Sequence, residues 1–426
     1  MNTQQSIINN SHSRFTQLFG RSYPIVIISL CAAFLFYKYI LQVYPGVITD
    51  QLMKEFHLTG AGMGNLAATF YYSYMLMQLF VGILLDKYST RLLSAVAIFI
   101  SALGLYLFSQ THNLLIAELA RTLMGIGVAF ATVAYMKIAA TWFAPKQYAL
   151  VGGLLATAAM AGAVFGEAPL AWFVNTFGWR NSLAICGIAG LILAFLFVLF
   201  VQDKSTTVTT SQHKIALKDI LQVLKNKQNW LLTFYSGLAF SPIAIFGGLW
   251  GNPFLQQAYH LTKTEAASLL SLIFIGLGLG SPLIGALSDR LGKRRDVMFY
   301  STLTAFFSVM LVIYWESMPT WLVSVLLFTF GFSLGAFMLS FTIGKELNPV
   351  FLTATVIAMI NTSDAVLDAV TEPAIGKLLD FTWSGKIVNG VHYFSLHDYK
   401  LALSVLPVYL AVATVILLFI KDRGAK

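Results

Sequence analysis

Twelve stretches of about 20 apolar residues follow one another along this chain, and a helix of that length crosses ~30 Å of hydrocarbon. They run roughly over 23–47, 66–85, 92–109, 114–143, 149–173 and 181–201, then over 230–251, 266–287, 297–315, 320–343, 353–379 and 401–420. With 58% hydrophobic and only 11% charged residues, the chain cannot build a water-facing surface, for which about a quarter charged residues is usual. The expected fold is an all-α membrane protein with two bundles of six helices, over 23–202 and 229–420. A polar linker over 203–228 separates them and carries a short amphipathic helix. Polar tails over 1–22 and 421–426 flank the bundles. Cys31 and Cys186 lie inside apolar runs and read as small core residues, with no disulfide framework or metal-ligand spacing.

Basic residues fix the expected orientation. With the N-terminus inside, eighteen Lys and Arg residues fall on the cytoplasmic side and six on the other: Lys54, Arg180, Lys263, Lys377, Lys386 and Lys400. Both termini are therefore expected in the cytoplasm. The bias also accounts for the net charge of +9 without a nucleic-acid partner.

Two segments recur. Gly285-x-x-x-Asp289-Arg290-x-Gly292-Lys293-Arg294-Arg295 echoes Gly82-x-x-x-Asp86-Lys87-x-Ser89-Thr90-Arg91, and His260-Leu261-Thr262 repeats His57-Leu58-Thr59. Both pairs are 203 residues apart, so the chain reads as a duplicated unit whose halves are pseudo-symmetric.

The second hairpin resembles the Gly-x3-Asp-Arg-x-Gly-Arg-Arg loop of the major facilitator superfamily almost residue for residue. Arg121-x-x-x-Gly125-x-Gly127, Trp142-Phe143-x-Pro145 and Gly178-Trp179-Arg180 resemble three further patterns of that family, so the resemblance covers nearly the whole chain. It implies a carrier of the cytoplasmic membrane that works by alternating access, needs no cofactor or metal, acts as a monomer and is not an enzyme. The first hairpin departs from the pattern, with Ser89 for glycine and Thr90 for a basic residue. Gating is expected of Asp86, Arg91, Gly285, Asp289, Arg290, Gly292 and Arg294. In this reading Asp86 faces the start of the eleventh helix and Asp289 the start of the fifth, each drawn to the partial positive charge of a helix N-terminus.

An ionised side chain at mid-bilayer costs at least ~2.5–3.5 kcal/mol and marks a cavity or a partner. Lys38 lies mid-way along the first helix, on one face with Phe34, Gln42 and Pro45. Tyr71, Tyr74 and Gln78 share a face of the second helix. Asn361, Asp364, Asp368 and Glu372 form one stripe on the eleventh, with Glu372 near the outer rim beside Pro373. Substrate contact is expected from Lys38, Gln42, Tyr71, Tyr74, Gln78, Asn361 and Asp364. Proton coupling is expected from Asp364, Asp368, Arg121 and Glu167. A buried Lys–Asp pair holding the halves together is the structural alternative, and Arg121 can equally pair with Glu118 or Glu167.

A cation facing carboxylates suits a zwitterion, so an amino acid or short peptide is the expected substrate, moved with protons. Phe36-Tyr37-Lys38-Tyr39, Pro45-Gly46 and Tyr71-Tyr72-x-Tyr74 also resemble the phagosomal nutrient transporter branch of the superfamily, which takes up amino acids and, in some members, nucleosides. Nucleoside, siderophore or organic-anion carriers and a drug/proton antiporter are the alternatives. The stretch from Gly162 to Pro169 fits the antiporter motif only in part. No nucleophile with a base, His cluster or phosphate-cradling loop points to an enzyme.

Overall fold

Lipid thickness sets the length of each element, and the computed structural model contains twelve long helical segments among the described residues. The structure describes residues 22–143, 145–203, 217–349 and 352–422. The expected N-terminal tail up to residue 21, most of the first part of the linker, Ala144 of the Trp142 motif and the last four residues lie outside them. The first six helices are α1 (Tyr23–Val47), α2 (Gly60–Lys87), α3 (Thr90–Gln110), α4 (Leu114–Trp142), α5 (Pro145–Phe177) and α6 (Trp179–Phe200). The second six are α7 (Lys227–Tyr259), α8 (Lys263–Leu291), α9 (Arg294–Tyr314), α10 (Thr320–Leu347), α11 (Thr353–Thr382) and α12 (Leu396–Leu417). A short helix, Leu217–Lys225, precedes α7.

Among the described residues, eleven of these are apolar enough to span a membrane on composition. The twelfth, α11, carries Asp364, Asp368 and Glu372, which belong to the protein interior. Several helices run further than their apolar stretches: α2 begins at Gly60 and α7 ends at Tyr259. Hydropathy sees only the part in lipid, whereas the backbone ladder continues into polar ends.

The repeated tripeptide has a conformational reason. His57 and His260 both take the left-handed conformation, with φ of 51° and 52°. Thr59 and Thr262 then cap α2 and α8. The two hairpins differ as their sequences do. Gly292 ends α8 at φ +65°, a conformation that favours glycine. Ser89 instead has φ −54° and caps α3, its hydroxyl accepting from the Leu92 N–H at 3.1 Å.

Within the first bundle α3 packs along α4 and α6, and α1 along α5; within the second α8 packs along α10, and α7 along α11. Between bundles α2 lies on α11, α5 on α8, and α1 on a π-helical turn of α7, Phe246–Trp250. The tightest of these contacts lie towards one face. A methyl group on Gly376 would sit 2.0 Å from the Gly60 carbonyl oxygen, and one on Gly64 2.3 Å from that of Glu372. On the same half Asn175 of α5 donates to Thr264 of α8, and Lys263 to Gln51. On the opposite face, which carries the start of α1 and the two hairpins, Gly82 and Gly285 border open space. Among the described residues, the close contacts between the bundles thus lie towards the far face.

Among the described residues the expected latch residues make local contacts. The Asp86 side chain is 84% exposed, with Lys137 Nζ 3.6 Å away; that of Asp289 is 65% exposed and accepts from Arg294 at 2.8 Å. Arg91 bonds the Val198 carbonyl inside its own bundle and Asp203 at the start of the linker, and Arg290 is exposed. The expected partners, at the starts of α11 and α5, fall at or beside residues outside the described ones.

Candidate substrate site

Lys38 is buried in α1, at 7% exposure, where an ammonium survives only with good partners. Its Nζ donates to the Tyr74 hydroxyl at 3.2 Å and lies 4.7 Å from the centre of that ring and 5.1 Å from that of Tyr39. Two π faces with a desolvated cation contribute on the order of 2 kcal/mol. Tyr74 is itself held by stacking on Phe70, one turn earlier in α2, at 6.4 Å. An ammonium carries three donors, and Tyr74 occupies one.

Carboxylates approach from the other bundle. Asp368 is 1% exposed and accepts from Ser241 Oγ of α7 at 2.6 Å. Asp364, half-buried one turn away, accepts from Ser236 at 3.3 Å and from Ser363 at 3.4 Å. Asp364 lies close enough to act electrostatically on Lys38. Among the described residues, though, no carboxylate forms a salt bridge with Lys38, so the expected alternative of a Lys–Asp pair is not what holds the halves together. The arrangement is a wall with a cation backed by rings, facing a wall of carboxylates oriented by serine hydroxyls. Groups of this kind can bind an anionic group at Lys38 and hydroxyl or ammonium donors at Asp364 and Asp368.

Residues 25–371 match the profile of the family described as Major Facilitator Superfamily. The chain belongs to the major facilitator superfamily. It is a multi-pass membrane protein and a secondary transporter of that type. Its relatives include the probable galactarate/D-glucarate transporter GudP of Bacillus subtilis (strain 168), 22% identical over 79% of this chain and 81% of that one. An uncharacterized transporter of the same organism, YybO, is 31% identical, but the match spans 40% of this chain and only 39% of YybO. Among solved structures, a bacterial homologue of the human lysosomal transporter Spinster superposes with a TM-score of 0.74 at 15% identity, covering 94% of this chain and 97% of that one.

In this superfamily member the other expected site residues divide. Tyr71 is buried in α2, one turn before Tyr74, and Gln42 is partly buried in α1. Gln78 donates to the Ala129 carbonyl at 3.3 Å, where α4 is interrupted, and so supports the backbone. Asn361 is exposed. Arg121 pairs with neither Glu118 nor Glu167. Its guanidinium donates to the Leu41 and Ala67 carbonyls, each at 2.9 Å, between the Tyr44 and Phe70 rings, and so ties α4 to α1 and α2. Glu167 is fully buried, with no hydrogen-bond partner for its carboxylate among the described residues.

Glu372, expected near the outer rim, is covered by protein. It is 2% exposed, on the stretch of α11 that presses on Gly64, and its carbonyl accepts from Trp250 at 3.3 Å. As the expected span over 353–379 implied, α11 continues through Pro373, to Thr382. Sequence reasoning also missed Tyr39, Ser236 and Ser241. The tyrosine adjoins Lys38 and was legible; a serine in a membrane helix ordinarily bonds its own backbone and gives no cost signal.

Proposed function

We propose that this transporter carries a small organic anion, of the polyhydroxylated carboxylate kind, across the cytoplasmic membrane of a bacterium. Lys38 carries the reading: a buried ammonium between the bundles with two donors left for a carboxylate. Substrate hydroxyls would donate to Asp364 and Asp368, and Tyr39 and Tyr74 would pack on the carbon chain. The naming of GudP as a probable sugar-acid carrier supports the same class. An amino acid, whose ammonium would sit at Asp364 or Asp368, is the second reading, favoured by the half-buried position of Asp364.

The basic hairpin face is cytoplasmic in this proposal, so the present state is open to the cytoplasm. Transport proceeds by rocking the bundles about the site, with Asp364 and Asp368 as the carboxylates that couple it to protons. A thermal-shift series on purified protein with D-glucarate, D-galactonate, a hexuronate, alanine and uridine tests the substrate class, because a ligand of the folded state raises its melting temperature. Stabilisation by the sugar acids that disappears in Lys38→Ala is the expected result. Stabilisation by alanine or uridine alone would overturn it.

A further inference from the structure

The end of a helix leaves its first N–H groups without partners inside the helix. In α2 two of them find partners in the other bundle. Gly60 N–H donates to Asp380 Oδ1 at 2.7 Å and Ala61 N–H to Asp380 Oδ2 at 2.8 Å, across a sequence separation of about 320 residues. Thr59 provides for the next, its hydroxyl accepting from Gly62 N–H at 3.2 Å. Asp380 lies one turn beyond Gly376, whose lack of a side chain lets α11 touch Gly60. Its carboxylate is backed by His392, with Nδ1 at 3.8 Å, and the His392 ring is stacked on Trp383 at 3.7 Å.

The repeat shows what is unusual here. At the equivalent end of α8, Glu265 completes a capping box, accepting from Thr262 N–H at 2.8 Å. The residue 203 places earlier is Gly62, which has no side chain to do the same. One helix is capped from within; the other borrows its cap. The contacts of the α8 end with the first bundle, Asn175 to Thr264 and Lys263 to Gln51, are side-chain bonds that water can replace without uncapping a helix.

We propose that Asp380 is the latch of the far gate: it holds the bundles closed on that face by capping α2 from α11. Opening the far face must separate Asp380 from Gly60 and Ala61, so the charge-assisted bonds favour the closed state. Sequence symmetry pointed to a carboxylate at a helix N-terminus on the hairpin face; the same device operates at the other end of the α2–α11 pair.

The test uses full-length protein in nanodiscs, where both faces are accessible and orientation does not matter. Cys31 and Cys186 are replaced by serine, and Ser271→Cys reports on the far gate, since Ser271 is 4% exposed and accepts from the Ala168 N–H across the α5–α8 interface. Asp380→Ala should raise the maleimide labelling rate at this position about tenfold, the equivalent of one to two charged hydrogen bonds partly replaced by water. Asp380→Asn should give a smaller rise in the same direction and serves if the alanine variant does not fold. Thr59→Ala removes a cap of the same helix end from within its own bundle and should leave labelling at the parent rate. Parent-rate labelling in the Asp380 variants, or an equal rise in Thr59→Ala, would show that Asp380 is only a structural cap.

Discussion

The Lys38 ammonium lies 3.2 Å from the Tyr74 hydroxyl and 4.7 Å from the centre of the same ring, so Tyr74 offers it both an acceptor and a π face. The pair is built within the first bundle, from α1 and α2. It therefore persists whichever way the bundles rock, and the cation remains available to ligand from either side.

Tyr74→Phe separates those two contributions. The ring face stays and one neutral-to-charged hydrogen bond is lost, on the order of 1.5–3 kcal/mol. Because the freed donor can turn to the ligand, carboxylate affinity should change by less than about tenfold, whereas Lys38→Ala should abolish binding. Titration calorimetry with the best ligand of the thermal-shift series checks both; equal losses in the two variants would argue against Lys38 as the anchor.

Asp368 and Ser241 form the shortest contact at the carboxylate wall, at 2.6 Å. Ser241→Ala leaves a buried carboxylate without its hydroxyl and should cost about 1–3 kcal/mol of stability. That loss is read as a lowered melting temperature of the purified protein, and an unchanged value would mean that water replaces the serine.

Asp364→Asn and Asp368→Asn address coupling. Each is expected to abolish gradient-driven accumulation in vesicles, and at least one should retain exchange of labelled for unlabelled substrate, which needs binding but no net proton movement. If both variants accumulate substrate like the parent under a proton gradient, the carboxylates are structural.

Asp289→Asn probes the hairpin face. In the open state Arg294 keeps Glu346, bonded at 2.8 Å and 3.1 Å, so the loss of Asp289 costs little there. If Asp289 latches the closed state of this face, its removal should shift the population towards the present form and raise cysteine labelling from the hairpin side. Unchanged labelling with normal transport would leave Asp289 no gating role.

At the far face Glu55 offers a pH test. Desolvation pushes its carboxyl up, but the hydrogen bond with His112 and the Arg180 guanidinium, at 2.7 Å, outweigh it and hold the carboxyl below the usual range of about 4.5. A lowered folded-state value stabilises the protein above the unfolded value, and the contribution is lost as pH falls through the lowered one. Glu55→Gln should therefore melt below the parent at neutral pH, with the gap narrowing on acidification below about pH 4.5. A gap independent of pH would show that packing, and not charge, is responsible.

The sequence by itself determined the twelve spans, the duplication and which spans carry Lys38 and the α11 carboxylates. These follow from local quantities: the thickness of hydrocarbon, the rise of a helix and the cost of a charge in lipid. His57 and His260 were visible only as part of a repeat; their left-handed backbone came from the structure. Only the tertiary structure decided which partners those charges take. Lys38 rests on tyrosines and not on an aspartate, Arg121 binds backbone carbonyls and not Glu118 or Glu167, and Glu372 is buried where α11 meets Gly64. The closed face was equally out of reach of pattern reasoning. A duplicated sequence treats both ends of the bundles alike, and the relative tilt of two rigid bodies is set by contacts such as Asp380 with Gly60, between residues that no local periodicity connects.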